Sequence, residues 1–208
     1  MPIKTYKELL SKLEVKSDDL IGFKKSLIDY RIKTNHQDDY YAWISAIFAL
    51  YAIADDNFGI GSVLIDESKK IIAEGHNHVF SPYFRSDRHA EMVVLNTFED
   101  KVRHLAARQA ICIEQYTLFT SLEPCPMCSA RIITSGIGNI KYTVADDTGG
   151  FTQKINEFPA AWQELTNIPY KQYFNKADCS NELVSISSDI FLYNADRLNT
   201  ELRRIYKK

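Results

Sequence analysis

From Ile71 onward the chain alternates strand and helix: "IIAEGH", a helix from His89 to about Arg103, "YTLFTSL", a helix from Pro126 to about Ser135, and "NIKYTVA". This order constrains the fold more than any other feature. Strands joined through helices form a largely parallel sheet with right-handed crossovers, and the helices pack on its faces. Sites in such sheets lie beyond the strand C-termini, where the next helices begin. The expectation is therefore an α/β fold whose chemistry sits at the mouths of two helices.

The segments around this unit are legible to different degrees. Residues 1–37 carry two helical patterns, "TYKELLSKLE" and "DDLIGFKKSLIDYRIK", with apolar residues every three or four positions, and read as an N-terminal helical extension. A longer helix is expected from Asp38 to about Ala54, ended by the turn chemistry of "DDNFGIG". Its run "AWISAIFALYAIA" is too short to span a bilayer and reads as a buried core helix. "GSVLID" and "KIIAEGHN" read as a hairpin linked by "ESKK". Beyond Gly150 the pattern is mixed, ending in an amphipathic helix, so residues 151–208 are expected to be a helical region packed on a core of residues 38–150.

Both helix mouths carry reactive residues. In "HAEMVVLNTF", His89 and Glu91 stand two apart, which on a regular helix places them on nearly opposite sides. They can converge only at the first turn. In "SLEPCPMCSARI", Cys125 occupies an N-cap position, Pro126 the first helical position and Cys128 the first turn, so both sulfurs meet a positive helix end that favours thiolate. Taken alone, this CxxC fits a redox pair as well as a metal site.

His89, Cys125 and Cys128 together supply three zinc ligands and leave one tetrahedral position open, the composition of a catalytic site. At such a position a metal lowers the pKa of water toward neutrality, and Glu91 is placed to move protons. Taken alone, Glu91 is also an ordinary first-turn carboxylate favoured by the helix dipole. Cys112 and Cys179 have no partner at ligand spacing and are expected to be small buried hydrophobes. His36 and His104 are expected to be exposed on polar helical stretches, and His76 and His78 have no assigned role.

The pair H-x-E and P-C-x-x-C is the signature of zinc deaminases. The chain resembles the cytidine deaminase-like superfamily over roughly Asp38 to Gly150. "HAE", "TSLEPCPMC" and "IGNIKYTVADDTGG" are most similar to the branch of tRNA adenosine deaminases and guanine deaminases. The resemblance implies a three-layer α/β/α sandwich, one zinc per chain, and hydrolytic removal of an exocyclic amine from a nucleobase. It also implies that Asn77 and the backbone N–H of Ala90 contact the base, that Asp146 lies beside the pocket, and that the chain forms a homodimer. The sequence departs from the branch in the "RSDR" loop, which brings Arg85 and Arg88 near the pocket, and at Arg131, where a small residue is usual. Arg85 and Arg88 either bind a substrate phosphate or pair with neighbours such as Asp87.

A net charge of −2 and a pI near 6.2 provide no basic field for a large RNA. A small-molecule purine base, nucleoside or nucleotide is therefore the favoured substrate, and adenosine in a tRNA the alternative. The terminal "RRIYKK" reads as a solvated helix end. A non-catalytic zinc-stabilised interaction scaffold is the competing class, and it has no use for Glu91. "MPIKTYKELL" lacks the apolar core of a secretory signal, so a cytoplasmic protein with no membrane association is expected.

Overall fold

The computed structural model describes residues 3–102, 112–168 and 170–207. Its centre is a five-stranded sheet built from β1 (Gly61–Ile65), β2 (Ile71–His76), β3 (Thr117–Leu122), β4 (Asn139–Val144) and β5 (Tyr173–Lys176), in the order β2-β1-β3-β4-β5. β1 is antiparallel to both β2 and β3, whereas β3–β4 and β4–β5 are parallel. The sheet is therefore mixed, and every strand except β1 runs in one direction. The hairpin closes through Asp66, whose Oδ1 accepts from the backbone N–H of Ser68 and of Lys70, each at 2.9 Å.

Strand alternation splits the interior into two layers. Val63, Ile65 and Phe119 face α3 (Asp39–Ala54), while Leu64, Leu118 and Ile140 face α4 (Ala90–Val102) and α5 (Pro126–Ser135). α3 is apolar nearly all round because it is enclosed on every side. The sheet covers one side, α1 (Ile3–Lys12) and α2 (Asp18–Asp29) contribute Tyr6, Leu10 and Leu27, and α7 (Asn181–Tyr206) contributes Leu183 and Ile190. The Trp43 indole N–H donates to the Leu27 carbonyl at 2.9 Å, which satisfies the one polar atom of a fully buried ring. Gly61 makes the approach of β1 to α3 possible, since a Cβ there would lie 2.2 Å from the Ser45 carbonyl oxygen.

The region after Gly150 departs from the expected helical character. It contains α6 (Ala160–Leu165) and α7, but it also gives the sheet its outer strand, β5. Cys112 is exposed, which corrects its reading as a buried hydrophobe; Cys179 is buried as expected. His36 stands in a turn and not on a helix, with Nδ1 2.8 Å from Asp178 Oδ1. Arg103 and His104 lie outside the described residues. No helix among the described residues is long and apolar enough to cross a membrane.

Candidate metal centre and its surroundings

α4 follows β2 and α5 follows β3, so both helices begin past the same end of the sheet and pack against each other on one face. The backbone N–H of Val93 donates to the His89 carbonyl at 3.0 Å, and that of Ser129 to the Cys125 carbonyl at 2.8 Å. Each residue thereby closes the first turn of its helix. His89 and Cys125 are the N-cap residues of α4 and α5, and their side chains lean over the helix ends. Glu91 and Cys128 lie in the respective first turns, where the residues of both motifs converge.

His89 Nδ1 is 3.7 Å from Cys125 Sγ and 3.6 Å from Cys128 Sγ, and the three donor atoms lie within 4.8 Å of one another. A tetrahedral zinc with ordinary Zn–S and Zn–N bond lengths holds sulfur and nitrogen about 3.5 Å apart. The spacing therefore fits a zinc ion, as does the donor set of one imidazole and two thiols. The other five Cys and His residues among the described residues join no such cluster.

Of the three donors, Cys125 alone is electrostatically biased toward its ligating form. The hydrogen-bonding contact with Cys128, with His89 beside it, pushes the Cys125 thiol down to about 4 against the opposing cost of burial. The same contact and burial push Cys128 up, with the carboxylate of Glu91 adding to the effect. For His89, burial lowers the pKa, but the hydrogen bond and charge of Cys125 and the charge of Glu91 outweigh it and leave the imidazole above its ordinary value. Glu91 is 3% exposed. Its Oε2 accepts from the Cys128 thiol at 3.4 Å, and burial, reinforced by the Cys125 sulfur, raises its pKa from the ordinary carboxylate value.

Asn77 follows β2 and is fully buried. Its Oδ1 accepts from the Val79 N–H at 3.0 Å, while Nδ2 has no protein partner. A buried amide donor left free is costly unless a ligand takes it. The His78 N–H donates to the Arg88 carbonyl at 2.9 Å, so the loop that leaves Asn77 is tied back beside His89. Ala90 is fully buried at the start of α4. Asp146 shapes its own turn, with Oδ1 accepting from the Thr148 N–H and hydroxyl and the Gly149 N–H at 2.8–3.1 Å.

Arg85 and Arg131 are paired locally. Arg85 grips Asp87 through Nε and Nη2 at 2.8 and 2.7 Å, the pairing alternative to a phosphate site. With Arg88 and Asp100 these residues line a cavity of about 260 Å³ along α4. Arg131 reaches Glu99 at 2.7 Å and ties α5 to α4.

The sequence reading missed Glu123. This carboxylate is 7% exposed. It accepts from the Asp146 N–H at 3.1 Å, the Thr152 N–H at 3.0 Å and the Thr152 hydroxyl at 2.5 Å, and so holds the 146–152 loop beside Cys125. The signal for it was an acid at the end of an otherwise buried strand.

Known proteins are similar to this chain. The family described as the cytidine and deoxycytidylate deaminase zinc-binding region matches residues 35–144. The tRNA-specific adenosine deaminase of Buchnera aphidicola subsp. Schizaphis graminum is 30% identical over 158 residues, covering 76% of this chain and 95% of that protein. The tRNA-specific adenosine deaminase of Bacillus subtilis is 34% identical over 91 residues, 44% of this chain and 52% of that protein. The fold is similar to that of the guanine deaminase from Nitrosomonas europaea, with a TM-score of 0.55 at 19% identity over 85% of this chain and 93% of that one.

Proposed function

The chain belongs to the cytidine and deoxycytidylate deaminase zinc-binding family, and on that premise we propose that it is a hydrolytic deaminase that replaces the exocyclic amine of a purine base with oxygen and releases ammonia. The observation that carries this reading is Glu91, a carboxylate sealed from solvent against the Cys128 thiol in a cluster whose three donors leave one position open. A scaffold that used the metal only for stability has no need of a buried acid at that position.

His89, Cys125 and Cys128 would hold a zinc ion, which when bound would supply the Lewis acidity that lowers the pKa of water toward neutrality. Glu91 takes the proton from the attacking water and delivers it to the departing amine, so one group serves as base and then as acid. Asn77 Nδ2 donates to an acceptor on the ring, and the Ala90 N–H donates from the helix start; together they hold the amine-bearing carbon toward Glu91. Asp146 and Glu123 shape the loop at the side of the pocket. Burial around Glu91 excludes bulk water and strengthens these contacts.

A small-molecule purine is the first substrate reading. Adenosine in a tRNA is the second, and a specific observation favours it. Tyr83, Phe84 and Tyr206 are exposed, Phe84 and Tyr206 meet edge to face at 6.2 Å, and Arg203, Arg204 and Lys207 flank the last of them. Exposed rings with cations beside them suit stacking of unpaired bases. Homodimerisation is part of the same proposal. Light scattering at micromolar concentration checks it, and a monomer refutes it.

The test is ammonia release from guanine, guanosine, adenosine, cytosine, cytidine, their monophosphates and tRNA, using protein with one zinc per chain by elemental analysis. Turnover of a purine is expected. Absence of turnover across the whole panel overturns the proposal in favour of a scaffold, and turnover of tRNA alone selects the second reading.

A further inference from the structure

The loop from Asn77 to His89 carries the free amide donor at one end and a metal ligand at the other, and contains no helix or strand. Its backbone is fixed from outside. The N–H groups of Phe80 and Ser81 both donate to Asn57 Oδ1, at 2.7 and 3.1 Å. Asn57 is fully buried in the turn after α3, and its own N–H donates to the Ala52 carbonyl at 2.8 Å and its Nδ2 to the Asp55 carbonyl at 3.0 Å. Both the orientation of the amide and the height of its oxygen are thereby set.

Asn57 is locked from behind by the C-terminal helix, which lies outside the family-matched residues 35–144. Asn194 Nδ2 donates to the Asn57 carbonyl at 2.9 Å. A Cβ on Gly59 would lie 2.5 Å from the Ile190 carbonyl oxygen, so only glycine admits this contact between turn and helix. Arg197 pairs with Asp56 in the same turn. A series of rings, Phe58–Phe80, Phe80–Phe84 and Phe84–Tyr206, spaced 5.7 to 6.2 Å, joins the turn to the loop and the loop to the end of α7.

The geometry points to Asn57 as a positioning residue. Braced by α7, it holds the Asn77–Arg88 loop in the conformation that presents Asn77 beside His89, and so sets the affinity of the base pocket without touching the base. This extends the proposed function, but the grip on the loop stands apart from it.

The experiment compares zinc-loaded full-length wild type with Asn57→Ala, Asn57→Asp and Asn194→Leu. Asn57→Asp keeps the accepting oxygen, and burial favours its protonated form, whose O–H replaces Nδ2–H toward the Asp55 carbonyl. Asn194→Leu cuts the brace while removing the unpartnered buried Oδ1 of Asn194, so a smaller loss of stability is expected than in Asn57→Ala. Two lost hydrogen bonds of ordinary strength correspond to amide exchange at Phe80 and Ser81 faster by about tenfold or more in Asn57→Ala, with a smaller rise in Asn194→Leu and near wild-type rates in Asn57→Asp. With whichever of guanine or a tRNA anticodon stem-loop the wild type deaminates, Asn57→Ala raises KM about tenfold with kcat within about threefold, and Asn57→Asp restores KM. Unchanged exchange in Asn57→Ala overturns the inference, as does loosened exchange with unchanged KM, or Asn57→Asp behaving like the alanine variant. If Asn57→Ala does not fold, unchanged exchange in Asn194→Leu overturns it. If the wild type deaminates neither these probes nor any other member of the panel, the proposed activity fails, while the exchange comparison still decides whether Asn57 holds the loop.

Discussion

Asp39 and Glu91 are both carboxylates sealed inside the protein in the first turn of a helix, yet their hydrogen bonding differs. Asp39 receives donors from three other segments: the Tyr30 hydroxyl at 2.7 Å, the Lys33 N–H at 2.6 Å and the Ser180 N–H at 2.9 Å. It joins the end of α2, the start of α3 and the cap of α7 in one knot. Glu91 accepts from the Cys128 thiol and from its own backbone N–H, and burial raises its pKa. A buried charge surrounded by donors is committed to holding structure together. A buried acid next to metal ligands keeps its proton available for exchange, which is what a proton carrier needs.

The sharpest way to break this contrast is Glu91→Gln. General acid/base groups contribute about 10²–10⁴-fold, and this one serves two transfers, so ammonia release is expected to fall by the upper part of that range or more. Zinc content by elemental analysis and the melting temperature stay close to wild type. Comparable turnover in the variant removes Glu91 from the chemistry.

The reverse outcome is expected at Asp39. Asp39→Ala strands the Lys33 and Ser180 N–H groups in the interior, and a loss of about 3 kcal/mol in urea denaturation is expected. Turnover per folded molecule at low temperature remains within about twofold. A large loss of kcat at unchanged stability would show that the two carboxylates are not divided in this way.

The same contrast explains what could be read from the sequence. The helix starts at His89 and Cys125 were legible because cap position, proline placement and ligand spacing are local properties. The core position of "AWISAIFALYAIA" was legible because an apolar run must be buried, but its covers were not, since α1, α2 and α7 are brought to it by tertiary packing. β5 was illegible: "YFNK" is four residues long, lies at the sheet edge and has mostly exposed side chains, so it shows no alternation. The knots at Asp39 and Glu123 were equally hidden, because their donors Ser180 and Thr152 are distant in sequence.

Glu123 sharpens the comparison from the structural side, since it is buried like Glu91, stands two residues before a metal ligand, and is saturated like Asp39. Glu123→Gln turns one accepting oxygen into a donor that faces the N–H of either Asp146 or Thr152. A loss of about 1–2 kcal/mol in stability is expected, with zinc retained and KM raised more than kcat is lowered as the 146–152 loop shifts. Urea denaturation and steady-state kinetics check both. Loss of zinc in this variant would assign Glu123 to the metal centre itself.

The smallest effect extends the contrast from carboxylates to imidazoles. His76 is half-buried like His89, but its ring lies between Phe48 and Tyr51 of α3 and that of His78, 4.1 Å away, with Asp55 at 3.4 Å. Burial, then repulsion from His78, pushes its pKa down to about 4 while Asp55 pulls the other way; burial and Arg88 also push His78 down. In the unfolded chain His76 takes up a proton near pH 6.5, and in the folded protein it resists protonation until about pH 4. Stability is therefore fully present above pH 6.5 and declines as pH falls toward 4, with about 1 kcal/mol lost between pH 7 and pH 5.5. His76→Gln abolishes that part of the decline, so the stability difference between variant and wild type shifts in the variant's favour by about that amount over the same interval. Parallel curves for the two proteins in urea denaturation at pH 7, 6.25 and 5.5 would show that the His76 ring takes up its proton in the folded state as readily as in the unfolded one.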